Sequence, residues 1–385
     1  MSELDLPIRI AAIGGGHGLA TVAEALASEY PNADVTALST VVDSGSASGE
    51  VRTLLGQLSG GEYAYGLGDL RNVLGRVSTN LGGGMFAERF GDDTTVETLA
   101  AKNSDMLAML HAQGMDDIAT HEIMADTIYM GSLLGSLKGH TYGTLVLGAL
   151  CRRVGLVKGL EVANDWLQTR NVHVQTLTET PHHLHMHDNG RVLVSEGVID
   201  DHRVEDPAGA QIWLTPDAHI TPEAEQAIAE ADIVIAGPGS FWTSTLPCFA
   251  IRGVSEAIQA QARRADTSRI IVANLVQEPN AGTMSMHAQV RRIEQAAGVR
   301  FKVVHNTDIE SVPPTYTALC DNEGILGDRG FGAKLVSAVC PEVDPNDPLA
   351  GTAKRSQAPL HDGPALAAAI MAAHMTRQPQ SLAVV

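Results

Sequence analysis

A chain of 385 residues with 44% hydrophobic and 18% charged residues can bury a large core, and 26 basic against 45 acidic side chains leave a net charge of −19. That balance repels phosphate backbones and anionic membrane surfaces, and no run of Lys and Arg offsets it locally, which excludes nucleic acid and acidic lipid as partners. An anionic small ligand is not excluded, because a few backbone N–H groups and one or two arginines can hold it against the global field.

Cys151, Cys248, Cys320 and Cys340 stand far apart with no CxxC pair, a spacing that fits neither a zinc knuckle nor a disulfide framework. The N-terminus MSELDLPIRI lacks the basic and apolar regions of a secretory leader. No stretch approaches the roughly 20 consecutive apolar residues of a spanning helix. The expected setting is reducing and cytoplasmic, without membrane insertion.

Apolar, β-branched runs alternate with helical patterns through the first half, which predicts a mainly parallel sheet with crossover helices. Residues 8–13 (IRIAAI) read as a first strand, 20–30 as a helix, and 34–42 (DVTALSTVV) as a second strand ending at Asp43. A helix-rich stretch covers about 69–130, and residues 141–154 (TYGTLVLGALCRRV) read as a buried helix. Residues of about 171–221 change to period-two alternation with a turn at Asp188-Asn189-Gly190, so a β-rich excursion with a hairpin is expected there. Further strands are predicted at 231–236, 269–276 and 301–306. A Pro/Gly-containing linker and a closing helix follow, and residues 376–385 read as a frayed tail. The whole is expected to be one α/β domain over 8–375.

The first strand runs into Gly14, Gly15, Gly16, His17 and Gly18. A dinucleotide fingerprint needs Gly or Ala at its sixth position, where this loop offers Leu19 or Thr21, and no Lys-Ser or Lys-Thr follows to make a P-loop. What remains is a strand, a glycine turn and a helix N-terminus, which serves either anion binding or plain chain reversal. The second strand ends at Asp43, with Ser46 and Ser48 beside it, where ligand-facing groups or an ordinary turn aspartate would sit. In GDLRNVL, Asp69 is placed to cap the following helix, with Arg71 and Asn72 in its first turn, where a guanidinium can reach a phosphate. His140 precedes the apolar helix at a position equally suited to a ligand contact or a structural role, with Thr141 placed to cap. A second strand-to-glycine turn brings Gly237, Pro238, Gly239 and Ser240, with Thr243 and Ser244 opening a helix. His182, His183, His185 and His187 include three at i, i+2, i+4, a spacing zinc can use, yet no carboxylate or cysteine completes the set and a solvated strand face is the preferred reading.

Taken in order, AAIGGGHGLA, TVVDSGSASGEVR, GDLRNVL, GHTYGTLVLGAL, AGPGSFWTSTLPCFAIRGVSEAI and LHDGPALAAAI resemble the motif series of the YvcK/CofD-like family, across nearly the whole chain. The resemblance implies a Rossmann-like α/β domain of the CofD type. YvcK-like members bind UDP-sugars such as UDP-N-acetylglucosamine and support cell-wall precursor synthesis and cell shape on gluconeogenic carbon sources. The transferase branch moves a 2-phospholactyl group from a nucleotide-activated donor to a deazaflavin, with Mg²⁺ on aspartates that correspond here to Asp43 and Asp69. By the same resemblance, the two glycine turns line the nucleotide crevice. This chain departs from the family pattern at His17, Ser44, Glu50 and Thr144. Losing one carboxylate and one cation weakens a magnesium-dependent transfer site more than simple nucleotide-sugar binding. A UDP-sugar-binding regulator is therefore the leading expectation and a phosphotransferase the alternative. A regulator implies a protein partner, and self-association into a homo-oligomer is left open.

Overall fold

The computed structural model describes residues 7–61, 64–115, 117–312, 316–321, 324–337 and 359–376. Cys340, most of the linker before the closing helix and the tail beyond Thr376 lie outside them. In chain order the strands are β1 (Arg9–Ile13), β2 (Asp34–Ser39), β3 (Val172–Thr176), β4 (His183–Asp188), β5 (Arg191–Val194), β6 (Gln211–Thr215), β7 (Ile233–Ala236), β8 (Ser268–Val272), β9 (Lys302–Asn306) and β10 (Gly330–Ala333). Seven of them form one parallel sheet in the order β10-β9-β8-β7-β1-β2-β3, and β5-β4-β6 form a small antiparallel sheet.

Two-sided burial explains the near-continuous apolar strands. In β1, Ile10 and Ala12 join one core layer while Ala11 and Ile13 join the other, and β7 divides the same way, Ile233 and Ile235 against Val234 and Ala236. The first layer packs under α1 (Gly16–Glu29), α3 (Gly68–Val77), the helix Tyr142–Val154 and the closing helix Gly363–Met375. Every residue from Tyr142 to Cys151 is buried, as an all-round apolar helix should be. Between β2 and α3 lies α2 (Ser46–Ser59), closed by Gly60 in a left-handed conformation.

The region expected to be helix-rich resolves into separate helices, Val96–Ala112 started by a Thr95 capping box and Ile118–Leu133 by Asp117. The β-rich excursion contains its hairpin: Asp188 pairs with Arg191 across Asn189 and Gly190, both at positive φ as a type I′ turn requires. The first strand of that stretch, β3, belongs instead to the main sheet, because its alternate residues complete the edge beside β2. The second strand ends at Ser39 rather than at Asp43, leaving Thr40–Gly45 as a loop.

The order of the main sheet reverses at β1, whose neighbours are β2 on one side and β7 on the other. In open α/β sheets a ligand crevice lies outside the strand carboxyl ends at such a switch point. The first glycine turn follows β1 and the second follows β7, so the topology sets them side by side.

At the outer edge, β3 has its exposed ladder groups covered by a side chain. The Asn164 amide accepts from the Val174 N–H at 3.0 Å and donates to the Val174 carbonyl at 2.9 Å, in the place of a further strand. Replacing it by Asn164→Leu strands both groups, and urea denaturation is expected to show a loss of about 1–3 kcal/mol, with greater self-association at high concentration. An unchanged midpoint would show that water takes over both bonds.

Candidate functional site

The two glycine turns touch. A Cβ on Gly18 would fall well inside contact distance of the Pro238 carbonyl, and one on Gly239 would lie 3.2 Å from the Gly15 carbonyl. Gly16 at φ +59 and Gly237 at φ +73 adopt conformations that favour glycine. Gly14 donates its N–H to Leu38 at 3.1 Å and Gly237 to Ile13 at 2.8 Å, which extends the strand ladders into the turns.

Three further loop amides also have internal acceptors. Asp69 accepts from the Gly16 N–H, Asn274 takes the Gly239 N–H at 3.0 Å and returns a bond to the Gly239 carbonyl at 2.8 Å, and Glu278 accepts from the Phe241 N–H at 2.8 Å. The open anion cradle expected from the glycine spacing is thus lined by the chain's own oxygens. Asp69 does not cap α3, whose N-cap position is Leu67; it sits in the first turn and reaches across to α1. Thr243 and Ser244 likewise open no α-helix but lie in a π-helical turn, Phe241–Thr245.

Carboxylates gather around this contact. Asp43, half-buried, accepts from the Gly45 N–H at 3.1 Å and presses on the backbone of Gly66 and Gly68. Burial and the charges of Asp43 and Asp200 push Asp69 up to about 7, opposed by the Gly16 N–H and the Arg71 guanidinium. Burial and Asp200 also push Glu278 up to about 7, against its bonds from Phe241 and Ser240. Asp200 accepts from Asn280 at 3.2 Å, and Asn280 and Thr243 both donate to the Ser240 hydroxyl, at 3.3 and 2.6 Å.

The remaining expected residues divide. Ser48 lies beside Gly68, Asn72 is half-buried in α3, Ser244 packs beside Gly15, and His17 is exposed at the start of α1. Ser46 opens α2, and its side chain lies outside the described residues. His140 is 2% exposed and pairs through Nε2 with Glu50 at 3.2 Å, while burial holds its pKa below the usual imidazole range. Thr141 is the N-cap residue of the apolar helix, yet its hydroxyl meets Thr144 at 2.7 Å and caps no backbone N–H. Asp200, Asn274, Glu278 and Asn280 escaped the sequence reading. The position of Asn274 just past β8 was the available signal, since it stands at the same sheet edge as the glycine turns.

Among the described residues no group of three or more His, Cys, Asp or Glu side chains is arranged to hold a metal ion. Of the four histidines, His183 and His187 are exposed, His185 stacks on Trp213 and His182 is fully buried. Asp43 and Asp69 fit a more open arrangement: hard oxygen donors whose like charges act on each other and are only partly offset by Arg71, a pair that could hold Mg²⁺, which rests on one or two carboxylates and completes its shell with water and phosphate.

A family model described as 2-phospho-L-lactate transferase CofD matches residues 10–323, and the chain belongs to the CofD family. Within that family it is similar to gluconeogenesis factors. It is 28% identical over 323 residues to the "putative gluconeogenesis factor" of Pasteurella multocida, covering 83% of this chain and 85% of that one. To the gluconeogenesis factor of Bacillus subtilis it is 26% identical over 317 residues, covering 79% and 80%. A crystal structure of a UPF0052-family protein from Bacillus halodurans matches its fold with a TM-score of 0.67 at 22% identity, over 94% of this chain and 99% of that one. No helix among the described residues is long and apolar enough to cross a membrane.

The turn contact makes a graded prediction. Gly18→Ala drives a methyl group into backbone and is expected to cost about 1–3 kcal/mol, whereas Gly84→Ala, with open space around it, should stabilise its helix by up to about 1 kcal/mol. Equal effects in chemical denaturation would remove the contact from the account.

Acid supplies a second test. Burial, with Arg52 and His183 nearby, lowers His182 from 6.5 to about 4, although Thr180 supports its proton. The fold therefore prefers the neutral ring, and below pH 6.5 the unfolded chain takes up a proton the folded one refuses, so stability falls towards pH 4. Between pH 7 and 5 this amounts to about 2 kcal/mol. His182→Asn should shrink the wild-type loss of stability over that interval, and an identical acid limb in both proteins would contradict it.

Proposed function

We propose that this chain is a YvcK-type gluconeogenesis factor that binds a UDP-sugar of the UDP-N-acetylglucosamine class at the switch-point crevice and supports cell-wall precursor synthesis and cell shape. The observation that carries this reading is the direct contact of the two glycine turns at the carboxyl ends of β1 and β7, with Asp43 and Asp69 beside them. Because the turn amides face internal acceptors, the diphosphate approaches oxygens as well as N–H groups. A divalent cation held by Asp43 and Asp69 would neutralise its charge at that point. Arg71, buried within the field of Asp69, adds one fixed positive charge. Binding rather than turnover fits the thiols: burial pushes Cys151 and Cys248 far above the range in which a thiolate nucleophile forms.

The second reading is a transferase that moves a 2-phospholactyl group from a nucleotide-activated donor to a deazaflavin, favoured by the matched family's description and by the paired carboxylates. In a cytoplasmic regulator the protein partner, and any assembly of identical copies, would be found by pull-down and sedimentation.

Thermal-shift titration with UDP-N-acetylglucosamine and Mg²⁺ should raise the melting temperature progressively with the logarithm of ligand concentration above Kd, the folded state gaining about 2.7 kcal/mol at a hundredfold excess. Asp43→Asn and Asp69→Asn should weaken the Mg²⁺-dependent part. No stabilisation at millimolar ligand, together with product formation from deazaflavin and activated phospholactate, would transfer the chain to the second reading.

A further inference from the structure

The last motif of the chain, LHDGPALAAAI, stands far along the sequence from both glycine turns. Two sets of contacts hold it in place. Leu360–Asp362 pair with the segment that follows β10, Ser337 donating to the Leu360 carbonyl at 2.8 Å and Asp362 to the Leu335 carbonyl at 2.7 Å. The Asp362 carboxylate then caps the closing helix by accepting from the Ala365 N–H at 2.9 Å, and that helix packs its buried face against α1. None of these contacts uses the His361 ring. Its Nε2 meets the Ala273 carbonyl at 3.2 Å, and a carbonyl can only accept, so Nε2 carries the proton. Burial lowers the ring to about 4, against the support of that carbonyl. The neutral ring therefore keeps its donor on Ala273 across the physiological range.

Ala273 is the residue that leaves β8, and its carbonyl shares one rigid peptide plane with the N–H of Asn274. The Ala273 N–H is already fixed by the Val304 carbonyl of β9 at 2.9 Å. The His361 bond sets the plane on the other side of Ala273, and with it the direction in which the Asn274 side chain departs. That side chain is spent on a single residue. Its Oδ1 accepts from the Gly239 N–H at 3.0 Å and its Nδ2 donates to the Gly239 carbonyl at 2.8 Å. Gly239 is in turn the residue of the second turn whose Cβ would lie 3.2 Å from the Gly15 carbonyl of the first. A continuous path of hydrogen bonds thus runs from the closing motif to the place where the two glycine turns meet.

We propose that His361 is a positioning residue of the crevice: by holding the Ala273–Asn274 peptide plane it fixes the Asn274 clamp and, through it, the Gly239 turn against which a ligand is held. The link to a ligand rests on the nucleotide-binding reading, whereas the coupling of His361 to Gly239 stands without it. The closing motif joins the two turns from behind. Its helix packs on α1, which begins in the first turn, while its histidine steadies the second. A histidine that served only the fold would act on global stability and would leave Gly239 no looser than the strands around it.

The test is native-state hydrogen exchange of the Gly239 amide, measured by NMR of the ¹⁵N-labelled full chain relative to the amides of β1, followed by titration with UDP-N-acetylglucosamine and Mg²⁺. His361→Phe keeps a ring and loses the donor, and it should speed Gly239 exchange about tenfold, the worth of one hydrogen bond of ordinary strength. His361→Gln, whose amide donates from near the place of Nε2, should restore most of the protection. Asp362→Ala removes a helix cap but not the histidine, so it should lower the melting temperature and leave the Gly239 ratio as in the wild type. Asn274→Ala breaks the clamp directly, and adding His361→Phe to it should have no further effect at Gly239. UDP-sugar affinity should fall several-fold in His361→Phe and recover in His361→Gln. An unchanged Gly239 ratio in His361→Phe, an equal change in Asp362→Ala, or independent effects in the double variant would overturn the coupling. A loosened Gly239 with unaltered UDP-sugar affinity would overturn the positioning role in binding. A loosened Gly239 in a protein whose wild type binds no UDP-sugar would keep the coupling and remove the nucleotide reading.

Discussion

Everything at the crevice depends on how closely two backbone turns approach each other. β1 and β7 are hydrogen-bonded neighbours, so the chain must leave both strands at the same place and in the same direction. An ordinary side chain at Gly18 would force the turns apart, because its Cβ runs into the Pro238 carbonyl, and one at Gly15 would displace the Asp69 carboxylate. Small residues are therefore a packing requirement before they are a binding one. The same contact lets one cluster of acceptors, Asp69, Asn274 and Glu278, reach both turns.

That arrangement changes the electrostatics of the crevice from what a glycine turn alone implies. Helix N-termini and exposed amides favour negative charge, but here the Gly16, Gly239 and Phe241 amides already serve acidic or amide oxygens of the chain. Burial, with repulsion from neighbouring carboxylates added to it, makes Asp69 and Glu278 hold protons near neutrality more readily than solvent-exposed carboxylates. A phosphate entering this space meets an environment balanced by protons, cations and Arg71 rather than by bare amides. In a chain of net charge −19, such local compensation is the condition for holding any anion at all.

Strand identity and sheet class were legible because burial on two faces leaves a mark in sequence: IRIAAI and ADIVIA are apolar at every position that faces a layer, and each ends at glycine. The hairpin at Asn189-Gly190 was legible from its turn chemistry. The assignment of β3 to the main sheet was not, since its exposed and buried alternation, with His173 open and Val172 and Val174 buried, is that of an edge strand in either sheet. At the site, residues next to glycine turns could be named from local pattern, but Asp200 and Asn280 come from segments distant in sequence and meet only through tertiary packing. Asp69 shows the limit of local rules: its place at a helix start implied a cap, and the neighbouring turn offered it a better donor.

Arg52 shows how the chain accommodates a departure that a motif comparison alone would count as a loss. Glu50, counted from its motif as a departure that removes a cation, pairs with His140. Two residues further along the same helix, which is about half a turn, Arg52 points its guanidinium at the carbonyls of Val42 and His182 and remains within the field of Asp43. Positive charge therefore survives at this end of the crevice, but it comes from the wall beside the small antiparallel sheet rather than from the first turn of α2. A charge held by two carbonyls is fixed in direction and poorly placed to swing onto a phosphate. Its effect is to organise the loop that carries His182 and to balance Asp43, which ties the excursion to the loop that follows β2.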